Sequence, residues 1–147
     1  MGDTTEHFSR ADFACPCCGI AEPHPLLFVG LEEMRQRAGQ GIIILSGTRC
    51  PERNKQIGGG ADSSHLIKAN GYSAAADIYV NDTDLLESYC LALSIPQFRS
   101  GGIGLYPEGA GFIHVDVRGY RARWSRIGKN YYGIDAAFKK ILGGSEK

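Results

Sequence analysis

Gly111-Phe112-Ile113-His114-Val115-Asp116-Val117-Arg118 alternates with period two and reads as a β-strand. Ile113, Val115 and Val117 fall on one face, Phe112, His114 and Asp116 on the other. The apolar face suits a core. The opposite face carries an imidazole and a carboxylate two residues apart, pointing into the same space. Such a face is a candidate floor for a metal or acid–base site. The plainer reading is a half-exposed strand with its polar side in water, and the rest of the chain bears on the choice.

Working outward, Gly101-Gly102-Ile103-Gly104-Leu105-Tyr106 reads as a Gly-rich strand, joined to the first by the turn Pro107 to Gly111. It is no phosphate loop, since neither GxGxxG nor a following Gly-Lys-Ser/Thr is present. Ala74 to Val80 and the β-branched Ile42-Ile43-Ile44-Leu45 read as further strands. Tyr120 to Trp124 is expected as one more, at an edge. Leu27, Leu31, Met34 and Ala38 make one stripe and predict a helix over about Leu26 to Gly39. A second helix is expected from Asn81 to Ser94, with Asp84 and Glu87 at capping-box spacing and Cys90 packed as a small hydrophobe. Pro51 suits the first turn of a short helix containing Asn54, broken by Gly58-Gly59-Gly60. Ile134, Phe138 and Ile141 predict a last helix ended by Gly143-Gly144. Residues 1–25 form an irregular lead-in anchored by Phe8 and Phe13, and Lys68 to Ser73 reads as a loop.

The 147 residues suit one domain with a real core. Sixteen Lys and Arg balance sixteen Asp and Glu, which argues against a polyanion-binding surface, so no nucleic-acid partner is expected. No run of 18 apolar residues suggests a membrane span. Met1-Gly2-Asp3-Thr4-Thr5-Glu6 lacks a basic region followed by an apolar one, so no signal peptide is expected and synthesis is cytoplasmic. Five cysteines make a poor closed disulfide framework. Cys15, Cys17 and Cys18 cluster, and structural zinc there would need a further ligand such as Cys50 or His24. A disulfide from Cys50 to the cluster and free thiols are the other readings.

His65, Asp77 and His114 together are enough protein ligands for a catalytic zinc, three N/O donors with a water in the fourth position. Zinc brings its water's pKa toward neutrality and polarises a carbonyl, and a nearby carboxylate must then carry the proton. Asp116 lies on the correct strand face for this general base, and Glu108 in the preceding turn is its rival. Arg49, at a strand end beside Gly47, is a candidate anchor for a substrate carboxylate or a structural ion-pair partner.

Ser63-x-His65, the Ala-Ala-Asp77 strand and Phe112-Ile-His114-Val-Asp116 resemble the zinc D-Ala-D-Ala carboxypeptidase family, which is related to VanY-type and phage-endolysin peptidases and, in fold, to the hedgehog signalling domain. His7-Phe8-Ser9-Arg10, Phe13-Ala-Cys, Ser46-Gly-Thr-Arg49-Cys-Pro with Asn54, Gly102-Ile-Gly-Leu-Tyr-Pro107 and Trp124 are similar to its small single-domain branch. The resemblance implies an α+β domain with a small antiparallel sheet flanked by helices, and Zn2+ held by His65, Asp77 and His114. It implies Arg49, Ser63 and Asn54 on the substrate side, and hydrolysis of peptidoglycan stem peptides at the cell wall, foremost as a D-alanyl-D-alanine carboxypeptidase. An endopeptidase of the phage-lysin type and a non-catalytic zinc-containing binding domain are the alternatives.

Two departures stand out. The family's SxHxxGxAxD pattern places His and Asp about seven residues apart, whereas His65 and Asp77 are twelve apart. A longer loop costs little closure entropy, but a shifted register would remove a ligand. Some members also carry a Glu three residues before the second metal His, where this chain has Gly111.

Overall fold

In the computed structural model, which describes residues 2–143, the period-two stretches join into one six-stranded sheet. Its strands are β1 (Ile42–Ser46), β2 (Ala75–Val80), β3 (Gly102–Tyr106), β4 (Phe112–Asp116), β5 (Ala122–Ile127) and β6 (Asn130–Tyr132). Their order is β1-β2-β4-β3-β5-β6. Pairing is antiparallel except between β3 and β5, which run parallel. The helices are α1 (Pro25–Ala38), α2 (Pro51–Gln56), α3 (Leu85–Leu93), α4 (Pro96–Arg99) and α5 (Asp135–Leu142). The architecture is α+β, as the resemblance implies.

One sheet face makes the core. Ile78 and Val80 of β2, Ile103 and Leu105 of β3, and Ile113 and Val115 of β4 pack with Leu27, Leu31 and Met34 of α1, Ala92 of α3, Phe98 of α4 and Ala137 of α5. Leu27, Leu31 and Met34 of the α1 stripe are buried as their spacing predicts, and Ala38 at its end is half-buried. Pro25 opens that helix, the His24 ring nitrogen accepts from the Leu26 amide, and Gly39 closes it in the left-handed region. Asp84 and Glu87 form the expected capping box at the start of α3. Phe8 and Phe13 are both buried, and Phe13 meets Phe28 edge-on at 4.9 Å.

Three expectations need correction. The strand foreseen over Tyr120 to Trp124 runs over Ala122–Ile127 and lies inside the sheet, with β6 outside it. Cys90 is exposed, because Leu85, Ser88 and Ala92 supply the inward side of α3. The last helix turns Ala137 fully inward and leaves Ile141 37 % exposed, with Gly143 as its C-cap. Gly144 lies outside the described residues, as does Met1.

Candidate metal centre

The opposite sheet face carries the chemistry. β2 and β4 pair so that Asp77 lies directly across from His114, and β1 puts Ser46 on Asp77's other side. His65 comes from the segment after α2. It is held by the Arg49 amide donating to its carbonyl at 2.9 Å and by its own amide donating to Ser63 Oγ at 3.2 Å. His65, Asp77 and His114 are all buried, and one ligand atom from each lies within 4.8 Å of the others. His65 Nε2 is 3.2 Å and His114 Nδ1 3.1 Å from the same oxygen, Asp77 Oδ1. The five or so extra residues between His65 and Asp77 therefore loop out without moving the carboxylate away from the imidazoles.

The remote nitrogens settle the tautomers. His65 Nδ1 lies 2.8 Å from the Gly47 carbonyl, which only accepts, so Nδ1 carries the proton and Nε2 is left with its lone pair. His114 Nε2 lies 2.7 Å from Asp116 Oδ2, an ionised carboxylate, so Nε2 carries a proton there. Three acceptor atoms then converge with no donor among them. Burial pushes the His65 imidazole down more strongly than Asp77 lifts it. His114 is also opposed by burial, yet its bonds to Asp116 and Asp77 push it up. Asp77 is buried too, and the two imidazoles nonetheless hold its carboxyl well below the usual range. His65 Nε2, His114 Nδ1 and Asp77 Oδ1 thus share one small space. A divalent cation fits the same place, because it satisfies all three lone pairs at once and each imidazole already has its outer hydrogen bond.

Each carboxylate has its own arginine. Arg49 donates from Nη2 to Asp77 Oδ2, from Nε to Ser46 Oγ and from Nη1 to Asn54 Oδ1, each at 3.2 Å. Asn54 is buried behind it and donates onward to the Gly60 carbonyl at 2.9 Å. Arg118 donates from Nη2 to Asp116 Oδ2 at 2.8 Å and from Nε to both carboxylate oxygens at 3.0 Å. Asp116 also accepts from the Gly102 and Arg118 amides, at 2.8 and 3.0 Å. It is fully buried and, despite that, held well below the ordinary carboxyl range by His114 and Arg118. It sits against the outer nitrogen of His114, on the far side of the ring from Asp77. Glu108 accepts from the Gly128 amide at 2.9 Å, away from the triad's walls.

Close backbone approach explains the Gly-rich strand. A Cβ on Gly102 would stand 2.3 Å from Asp116 Oδ2, and one on Gly104 would stand 2.4 Å from the Trp124 ring. With only hydrogens there, Trp124 packs at 4.8 Å from the His114 ring and Arg118 lies 5.0 Å over the indole. Gly111 has φ 79°, where a side chain is strained, so a glutamate at this place would not suit this backbone.

Two adjoining clefts flank the triad and share Arg49, Gly58, Gly59, Tyr106 and Tyr131. Asp77 opens into one, beside Leu45 and Phe112; His65 and His114 open into the other, beside Asp62 and Ser63. Tyr106 and Tyr131 were not singled out from sequence. Tyr106 shares strand parity with Gly102 and Gly104, and that parity would have placed it on the face of His114. Its hydroxyl accepts from Trp124 Nε1 at 3.3 Å, and burial pushes it up to about 12, so it stays protonated.

A family model described as Peptidase M15 matches residues 6–116, well over half of the chain. The matched segment holds His65, Asp77 and His114, while Arg118, Trp124 and Tyr131 come from the chain that follows it. A search of the curated proteins finds no match, and neither does a search of the solved structures.

Proposed function

Because the chain belongs to the Peptidase M15 family, a family of zinc metallopeptidases, we propose that it hydrolyses peptidoglycan stem peptides, as a D-alanyl-D-alanine carboxypeptidase, with zinc on His65, Asp77 and His114. The observation that carries this reading is the convergence of His65 Nε2 and His114 Nδ1 on Asp77 Oδ1 with both imidazoles tautomerically committed. Bound zinc supplies Lewis-acid polarisation of the scissile carbonyl and a water of near-neutral pKa.

The protein's own groups do the rest. Arg49 orients Asp77, and the two N–H donors it has beyond its three bonds suit the free carboxylate of a stem peptide. Asn54 and Ser63 act behind the substrate, the first by fixing Arg49 and the second by fixing the His65 backbone. Tyr106, protonated at neutral pH, offers an O–H donor to the charge that develops on the carbonyl oxygen. Asp116 positions His114 and is too enclosed to exchange protons with a substrate. Proton transfer then falls to Asp62, the exposed carboxylate on the wall of the His65–His114 cleft, rather than to Glu108.

The test is mass-spectrometric analysis of muropeptides ending in D-Ala-D-Ala after incubation with wild type and His114→Ala. Release of one alanine by the wild type alone is expected; equal release by both refutes the reading. A second reading, endopeptidase cleavage, is favoured by the clefts on both sides of the triad, and it would yield fragments cut within the stem or cross-bridge. Bound zinc with no turnover on any muropeptide would mark a binding module instead.

A further inference from the structure

We propose that Cys15, Cys17, Cys18 and Cys50 form a second metal centre, a thiolate-bound structural zinc distinct from the His–Asp–His site. Cys15 and Cys18 have two residues between them in Cys15-Pro16-Cys17-Cys18-Gly19, a C-x2-C spacing that structural zinc sites use. The segment closes into a tight turn, with the Gly19 amide donating to the Cys15 carbonyl at 2.7 Å and the Cys15 amide to Ile20 at 2.8 Å. Cys50 arrives from the far side, 35 residues along, at the start of α2.

The spacing of the sulfurs is the decisive observation. Cys15 Sγ and Cys50 Sγ are 3.7 Å apart, and one sulfur from each of Cys15, Cys18 and Cys50 lies within 4.8 Å of the others. Four thiolates at a Zn–S distance of about 2.3 Å, set tetrahedrally, have their sulfurs about 3.8 Å apart. A Cys15–Cys50 disulfide would use two sulfurs and leave Cys18 beside them unexplained. Cys50 Sγ also accepts from the Arg53 amide at 3.4 Å, the kind of outer hydrogen bond that steadies a metal-bound thiolate. Cys17, exposed in the same turn, stands outside that three-sulfur group and would swing in to complete four-coordination. His24 is excluded, since its Nδ1 accepts from the Leu26 amide and its ring packs on Tyr72.

The consequence reaches the catalytic face. The lead-in holds the β1–α2 loop through the Thr48 amide, which donates to the Phe13 carbonyl at 2.9 Å. A metal joining Cys15 and Cys18 to Cys50 would staple that junction one residue from Arg49, the guanidinium that orients Asp77.

The experiment measures zinc per chain in the full-length protein, purified under reductant without added metal, for wild type, Cys18→Ser and His114→Ala. About two zinc ions are expected in the wild type and about one in each variant. Cobalt is then exchanged into His114→Ala, where a near-ultraviolet thiolate-to-cobalt charge-transfer band reports the cysteine site without reference to activity. Cys18 is exposed, so its serine variant leaves the core intact. Zinc content indifferent to Cys18→Ser, absence of the charge-transfer band, or a Cys15–Cys50 disulfide in the reduced preparation would each overturn the proposal. Failure of the peptidase reading would show separately, as zinc indifferent to His114→Ala or as missing turnover.

Discussion

Asp116→Asn separates two roles that the sequence alone left joined. Asp116 Oδ1 faces the Gly102 and Arg118 amides and Arg118 Nε; Oδ2 faces His114 Nε2 and the Arg118 guanidinium. All of these are donors. An asparagine must turn its NH2 toward one set, so either orientation sets donor against donor in a site with no exposure. With the NH2 turned toward His114, the ring can regain a bond only by moving its proton to Nδ1 and accepting at Nε2. That proton then faces Asp77 and occupies the atom the metal needs. The expected result is a 10- to 100-fold loss of zinc affinity, about 1.4 to 2.8 kcal/mol, typical of a lost outer-shell partner. Stability should fall by about 3 kcal/mol, since Arg118 loses its buried counter-charge. A competition titration against a fluorescent chelator gives the first number and urea unfolding of the metal-free protein the second. Wild-type zinc affinity with turnover abolished would refute the reasoning, because that is how a general base behaves.

Gly104→Ala should cost about 1–3 kcal/mol in urea unfolding, because its methyl would sit 2.4 Å from the Trp124 ring; an unchanged midpoint would count against the close packing of Trp124 on His114. Glu32, beneath the lead-in, is opposed by burial but drawn from its ordinary 4.5 to about 2 by the His7 imidazole and amide. A depressed carboxyl stabilises above its unfolded pKa and loses that contribution as the pH falls toward its folded one. Wild type should therefore lose stability between about pH 4.5 and 2 more steeply than Glu32→Gln, and parallel acid-unfolding curves would contradict this. Asp62→Asn should lower kcat by about 100-fold or more with zinc content unchanged, while Glu108→Gln should leave both intact; the reverse pattern would return the proton-transfer role to the β3–β4 turn.

Much of the candidate site was legible because strands carry a parity. Once Phe112–Asp116 was read as a strand, His114 had to leave the core face, and the same rule turned Asp77 away from Ile78. Parity says which side a residue faces but not what stands beyond it. The role proposed for Asp116 depends on Arg118 folding back over it and on two glycines admitting their neighbours, contacts that no local spacing specifies. β6 escaped notice because Asn130, Tyr131 and Tyr132 are all exposed and show no alternation to read. β5 looked like an edge strand because its parallel pairing with β3 crosses a gap in sequence and depends on the sheet already built around β4.

The long loop from Leu66 to Ser73 shows why an insertion next to a ligand need not disturb it. Lengthening the His65–Asp77 connection from about seven residues to twelve changes closure entropy by only about 0.5 kcal/mol. A register slip of one residue would instead turn Asp77 into the core and Ile78, Val80 and Ala76 out of it, at a cost of several kcal/mol in lost burial. The ladder therefore decides where Asp77 stands. The ends of the loop are fixed independently, by the Ala74 amide donating to Ser64 at 2.8 Å and by Ser73 Oγ lying 2.8 Å from Thr48 Oγ1. Deleting Lys68–Tyr72 and joining Ile67 to Ser73 should then leave zinc affinity within about threefold of wild type, since that free-energy difference is all the loop's length controls. Zinc lost on deletion, with the protein still folded by circular dichroism, would mean that the loop and not the β2–β4 register brings Asp77 to the imidazoles.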